Sequence, residues 1–177
     1  MAQGGFRVEL SAQVAAAVPG CGAEQYDCAS GTVLVVEPEQ LLAALRFLKQ
    51  DPGQDYNVLV DLTAVDRVAT EGVIEVVYQL RSIAAGRRLM VKTRLAGEPW
   101  TLASATPLWG SANWAEREAW DMFGLRFTGH PDLRRILMYE EFEGYPLRKD
   151  YPYNKRQPLV EERDPIANPW PGTGNPT

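Results

Sequence analysis

The chain has 177 residues, 45% of them hydrophobic, and a formal net charge of -5. That size and apolar share suit one globular domain with a real core, and the acidic balance excludes a binder that works by neutralising nucleic-acid phosphates. No apolar run approaches the roughly 20 residues that cross a bilayer, and residues 1–10 lack the apolar stretch of a secretory signal. The expectation is a cytoplasmic chain that meets a membrane only through another protein.

Leu10, Val14 and Val18 recur at helical spacing over residues 7–18, and Pro19-Gly20 ends that helix. Residues 32–36 are short, apolar and β-branched, the mark of a strand. Pro38 suits the first turn of a helix. Leu41, Leu42, Leu45 and Leu48 would be its buried stripe, with Arg46 and Lys49 outward. Asp51-Pro52-Gly53 is a turn. Residues 57–63 read as a strand. In residues 71–80, Ile74, Val76, Tyr78 and Leu80 share one face. In residues 87–95, Leu89, Val91, Thr93 and Leu95 face one way, and Arg88, Met90, Lys92 and Arg94 the other. That period of two belongs to a sheet with one covered face. Short links favour an antiparallel meander. The fold class is α+β, a mostly antiparallel sheet of about four strands with two to three helices.

Residues 1–125 form a compact body that ends in a helix over 113–123. Asn113 reads as its N-cap, and Glu116 completes a capping-box-like pattern. Gly124 is the C′ residue. Residues 126–177 read as an extended, proline-rich arm. Pro152, Pro158, Pro165, Pro169, Pro171 and Pro176 bar helix and central strand there. Tyr151, Tyr153, Leu159, Ile166 and Trp170 set it apart from a free tail. The arm is expected to lie on a partner's surface, with a wrap around this chain's own body as the alternative.

Cys21, Cys28 and the single histidine, His130, are too few ligands for an iron–sulfur cluster or a closed zinc site. On a wheel of helix 113–123, Ala115, Ala119, Met122 and Phe123 form the core arc. Arg117, Glu118 and Asp121 form a polar arc, with Trp114 between the two. Arg117 and Asp121 stand four apart and are expected to pair. Glu118 and Asp121, three apart, could share a proton as an acid–base pair, but Arg117 supplies the counter-charge of a plain docking face. His130, flanked by Gly129 and Pro131, lacks a nucleophile in an elbow pattern and reads as a structural turn residue. Arg134, Arg135, Arg148 and Lys149 could clamp an anion. No glycine-rich phosphate loop accompanies them, so they are expected to pair with acids on this chain or a neighbour. What remains is an aromatic and charged surface of the kind that dominates protein–protein hot spots.

Three blocks carry a family resemblance. They are Asn113-Trp114-Ala115-Glu116-Arg117-Glu118-Ala119-Trp120-Asp121-Met122-Phe123-Gly124, Phe127-Thr128-Gly129-His130-Pro131-Asp132-Leu133-Arg134-Arg135-Ile136-Leu137, and Gly144-Tyr145-Pro146-Leu147-Arg148-Lys149-Asp150-Tyr151-Pro152. In this order they resemble the C-type, or 30 kDa-type, subunit of proton-pumping NADH–quinone oxidoreductase (complex I). Val60-Asp61-Leu62-Thr63-Ala64-Val65-Asp66, Val76-Val77-Tyr78-Gln79-Leu80 and Val91-Lys92-Thr93 extend the likeness upstream, over about residues 30 to 155. The resemblance implies a non-catalytic scaffold in the peripheral arm, on the cytoplasmic side of the bacterial inner membrane. It implies packing against the D-type (49 kDa-type) subunit, which helps build the quinone pocket, beside the iron–sulfur subunits. FMN and the clusters would belong to those partners, and this chain would hold no cofactor. Electron transfer from NADH to quinone, with proton translocation, would belong to the assembly. The expected interface or structural residues are Trp114, Glu116, Arg117, Glu118, Asp121, His130, Arg134, Arg135, Tyr145, Arg148, Lys149 and Asp150. Related membrane-bound hydrogenases, formate hydrogenlyase and the photosynthetic plastoquinone-reducing complex use a similar subunit. A reading from another class is a stand-alone hydrolase built on His130 with Glu118 and Asp121.

Overall fold

The computed structural model describes residues 10–29 and 31–158. The elements run α1 (Leu10–Ala17), β1 (Glu24–Cys28), β2 (Gly31–Val35), α2 (Leu41–Gln50), β3 (Val58–Arg67), α3 (Val68–Glu71), β4 (Val73–Ser82), β5 (Arg87–Ala96), β6 (Thr101–Ala103), α4 (Ala112–Phe123) and β7 (Arg126–Thr128). Five strands form one sheet in the order β1-β2-β5-β4-β3. Three of its four pairings are antiparallel, and β2 runs parallel to β5. The α+β class holds; among the described residues this sheet has five strands against the expected four, and there are four helices against the expected two to three, the four-residue α3 being the extra one. The added strand is β1, whose sequence Glu24-Gln25-Tyr26-Asp27-Cys28 lacks apolar alternation. It sits at the sheet edge, largely exposed, where no buried face demands that pattern.

The period-two readings fall where expected. Ile74, Val76, Tyr78, Leu80, Leu89, Val91, Thr93 and Leu95 are all buried. Leu41, Ala44, Leu45 and Leu48 bury the inner stripe of α2. That helix begins at Leu41, and Pro38 lies in the preceding turn, where its carbonyl accepts from Leu41 N. On the other sheet face, Glu75 of β4 is buried between Lys92 and Arg94, at 3.0 and 3.3 Å.

The last third is built around α4. β6 and β7 pair in parallel, and α4 is the crossover between them. Strands of three residues leave no periodic trace, so the sequence does not announce them. The helix starts one residue before Asn113. Its N-cap is Ser111, with no side-chain cap bond, so the expected capping box does not form. Gly124 does close the helix, left-handed at φ 81°. Residues 129–158 are irregular; between His130 and Lys149 they are hydrogen-bonded to α4 and to Asp66 of this chain's own body, whereas Lys155 and Gln157 bond back to Glu143. Leu159, Ile166, Trp170 and the prolines from Pro165 onward lie outside the described residues, as does the start of the expected helix over 7–18.

Candidate functional site

Asp121 is fully buried on the polar face of α4. Its Oδ2 accepts the backbone N–H groups of Ile136, Leu137 and Met138 at 3.0, 2.8 and 2.9 Å. Its Oδ1 accepts Nη1 of Arg135 at 2.6 Å. Burial alone would raise this carboxyl. The N–H groups of Met138, Leu137 and Ile136, with Arg135, reverse that and hold it below its ordinary range. The expected pairing of Arg117 with Asp121 is therefore replaced by Arg135, because the following segment folds over this face. Nor do Glu118 and Asp121 share a proton: Glu118 points outward, and Asp121 is locked as a charged acceptor.

Arg135 also donates through Nη2 to the carbonyls of Phe142 and Gly144, at 2.9 and 3.3 Å. Arg148 crosses the C-terminal end of α4. Its Nε donates to Phe123 O, and its Nη1 to Glu98 Oε1, both at 2.6 Å. Leu147 N reaches Met122 O at 3.1 Å. The last turn of α4 has no basic residue of its own. Arg148, from a distant segment, supplies the cation and satisfies a terminal carbonyl that the helix leaves open. Its guanidinium lies between the rings of Trp100 and Tyr145, 4.5 Å from each centroid.

This packing explains Gly124 twice over. Its φ is positive, and a Cβ there would meet Arg148 Nη2 at 2.5 Å and Tyr145 Cε2 at 2.7 Å. Gly124→Ala should therefore cost about 2 kcal/mol through backbone strain and displacement of Arg148. A urea titration of the full chain measures this; a loss below about 0.5 kcal/mol would show that the contact is soft.

Glu116 enters the core from the opposite face of α4. At 100° per residue it stands within about 20° of Phe123 on the helix wheel. It is fully buried. Its Oε2 accepts Ser104 Oγ and its Oε1 accepts Ala105 N, both at 2.6 Å, which ties the end of β6 to α4. Burial pushes this carboxyl up to about 7, against the lowering effect of those two bonds. Burial, and then the charge of Glu116, also raise the Tyr78 phenol.

The other expected residues scatter. His130 Nδ1 accepts Asp132 N at 3.0 Å, which leaves Nε2–H to donate to Asn113 O at 3.1 Å. Arg134 pairs with Asp132 at 2.9 Å on the surface. The backbone N–H of Lys149 donates to Asp66 Oδ2 at 2.7 Å, and Asp150 is exposed beside it. Trp114 is 62% exposed, Leu137 57% and Tyr139 40%. Sequence reasoning missed Glu98, Trp100, Ser104 and Asp66. Their partners lie from 12 residues away, for Ser104 and Glu116, to 83, for Asp66 and Lys149.

Residues 34–157 match the family described as the respiratory-chain NADH dehydrogenase 30 Kd subunit. The chain belongs to that family. The C 2 subunit of NADH-quinone oxidoreductase from Rhizobium etli is 45% identical over 141 residues, covering 77% of this chain and 75% of that protein. The C-type subunit of the same enzyme from Trichlorobacter lovleyi is 47% identical over 68% of this chain and 74% of its own length. Among solved structures, a trypsin-resistant fragment of Nqo5 is 32% identical, with a TM-score of 0.57, over 63% of this chain and 90% of that one. A chain of an archaeal membrane-bound sulfane sulfur reductase shares the fold, with a TM-score of 0.65 and 24% identity over 87% of this chain and 95% of that one. The family match takes in all three sequence blocks, and with them Asp121, Arg135 and Arg148. Among the described residues, no helix is long and apolar enough to cross a membrane.

Proposed function

We propose that this chain is a non-catalytic docking subunit of a proton-translocating NADH–quinone oxidoreductase. It packs against the D-type (49 kDa-type) subunit in the peripheral arm, on the cytoplasmic side of the membrane. Flavin, iron–sulfur clusters and quinone chemistry belong to the other subunits. One observation carries this reading. The charged residues of the family blocks are spent on shaping a surface: Asp121, Arg135 and Arg148 pin residues 135–148 onto α4, and Trp114, Leu137 and Tyr139 are left facing outward. Exposed aromatic and aliphatic groups on a rigid scaffold are what a protein partner buries.

A tagged full-length chain is expected to co-purify with the D-type subunit. Arg148→Ala should lower the yield of assembled complex while NADH–quinone turnover per complex stays unchanged. Normal assembly with lost turnover, for this variant or for His130→Ala, would place chemistry in this chain and overturn the proposal.

A further inference from the structure

Three arginines hold their guanidinium groups inside this site, and two of them have a carboxylate. Arg135 pairs with Asp121, and Arg148 with Glu98. Arg117 is buried, 8% exposed, and differs. Its Nε donates to Arg134 O and its Nη2 to Arg135 O, each at 3.2 Å. Its Cζ lies over the Trp114 ring, 5.0 Å from the centroid. Among the described residues, no carboxylate comes within 4.0 Å of it. Carbonyl oxygens orient a guanidinium but do not neutralise it. Arginine stays charged at physiological pH, and a charge withdrawn from water needs a counter-charge.

The surroundings say where that counter-charge arrives. Arg117 lines an open cleft of about 1070 Å³ together with Trp120, Leu133, Arg134, Met138 and Tyr139. Glu140 and Glu141 also stand on its wall, exposed and beyond ion-pair distance of Arg117. The exposed Tyr139 lines the cleft, and Trp114, also exposed, meets the Arg117 guanidinium with its ring. The cleft thus offers a pre-oriented cation with an apolar floor and an aromatic rim. That combination fits an acidic side chain followed by an aliphatic one.

We infer that this cleft receives an acidic segment of the neighbouring subunit, whose carboxylate pairs with the Arg117 guanidinium while an adjacent apolar side chain packs on Leu133 and Met138. The inference rests on the docking function proposed above and names the contact within it. A guanidinium fork held by two carbonyls and seated over a tryptophan ring loses little freedom when a carboxylate arrives. Arg117 is then an anchor residue of the interface.

The test uses the assembled complex with the full-length chain. Arginine does not react in carbodiimide coupling, whereas lysine joins any carboxylate that it touches. In an Arg117→Lys complex, position 117 should form an isopeptide bond to an aspartate or glutamate of another subunit, found by mass spectrometry and absent from the wild-type map. Coupling to Glu140, Glu141 or any carboxylate of residues 159–177, or no coupling at all in a complex that assembles, overturns the inference. Arg117→Met should weaken binding of the chain to its partner by roughly 30-fold or more. Trp114→Ala, at an exposed position that does not endanger folding, should weaken it by about tenfold. Unchanged affinity in Trp114→Ala overturns the inference even if Arg117→Met or Arg117→Lys fails to fold. If the wild-type chain binds no partner, the docking function and this inference fail together. If it binds normally and position 117 meets no foreign carboxylate, this inference alone fails.

Discussion

An Asp121→Ala chain is expected to lose about 3–5 kcal/mol of stability. The substitution leaves Arg135 without its carboxylate and removes the acceptor of three backbone N–H groups at once. Orphaned buried donors are costly because water does not replace the lost partner. The loss should be uneven: residues 131–151 should loosen first, since Asp121 is the point where α4 grips them, and the five-stranded sheet should persist. Urea denaturation gives the magnitude, and limited proteolysis at Arg134, Arg135 and Arg148 gives the location. Asp121→Asn tests the charge, because the amide keeps one acceptor but brings an NH2 group against Arg135 or the N–H trio. Its cost should approach that of alanine. The pH dependence follows from the depressed carboxyl. The Asp121 contribution is fully present above the unfolded carboxylate range, near 3.9, and fades as pH falls through the lower folded value. A loss below about 1 kcal/mol, with unchanged protease resistance, would show that other contacts hold residues 131–151 on α4.

What can be read from the sequence divides by the distance over which the cause acts. The faces of β4 and β5 are legible because alternation is a local rule: Ile74 to Leu80 and Leu89 to Leu95 declare their own burial. Gly124 is legible because a helix needs a left-handed stop. Glu116 is half-legible. Its wheel position lies in the core arc, but a glutamate three residues after Asn113 imitates a capping box, and the motif masks the geometry. Burial wins here because Ser104 and Ala105 give the carboxyl both of its hydrogen bonds. The role of Asp121 is not legible at all. Its partners come 14 to 17 residues later, from a segment with no regular structure. Arg148 and Glu98 are 50 residues apart. Pairings of that range depend on how the chain returns over α4, and no periodicity encodes that return. The same return buries Arg117, which a wheel assigns to the solvent side.

Glu116 makes the chain's stability fall as pH rises through neutrality. Its carboxyl is pushed up to about 7 in the folded chain, while an unfolded glutamate titrates near 4.3. Between those values the folded state holds a proton that the unfolded state has released, so raising the pH favours unfolding. The contribution of the protonated group is fully present below about 4.3, declines across the interval and is gone above about 7. Its size is on the order of 3 kcal/mol, from the width of the interval. Glu116→Gln separates charge from shape. The amide fills the same space, its oxygen accepts from Ala105 N, and it carries no proton to lose. That variant should match the wild type near pH 5, exceed it by about 2–3 kcal/mol at pH 8, and show a flatter profile between. Glu116→Ala should be less stable than the wild type at both values, since it opens a cavity and strands Ser104 and Ala105. Urea midpoints at pH 5, 6.5 and 8 decide the matter. A glutamine variant whose pH profile parallels the wild type would mean that Glu116 is charged in the folded chain, with the Ser104 and Ala105 hydrogen bonds outweighing its burial.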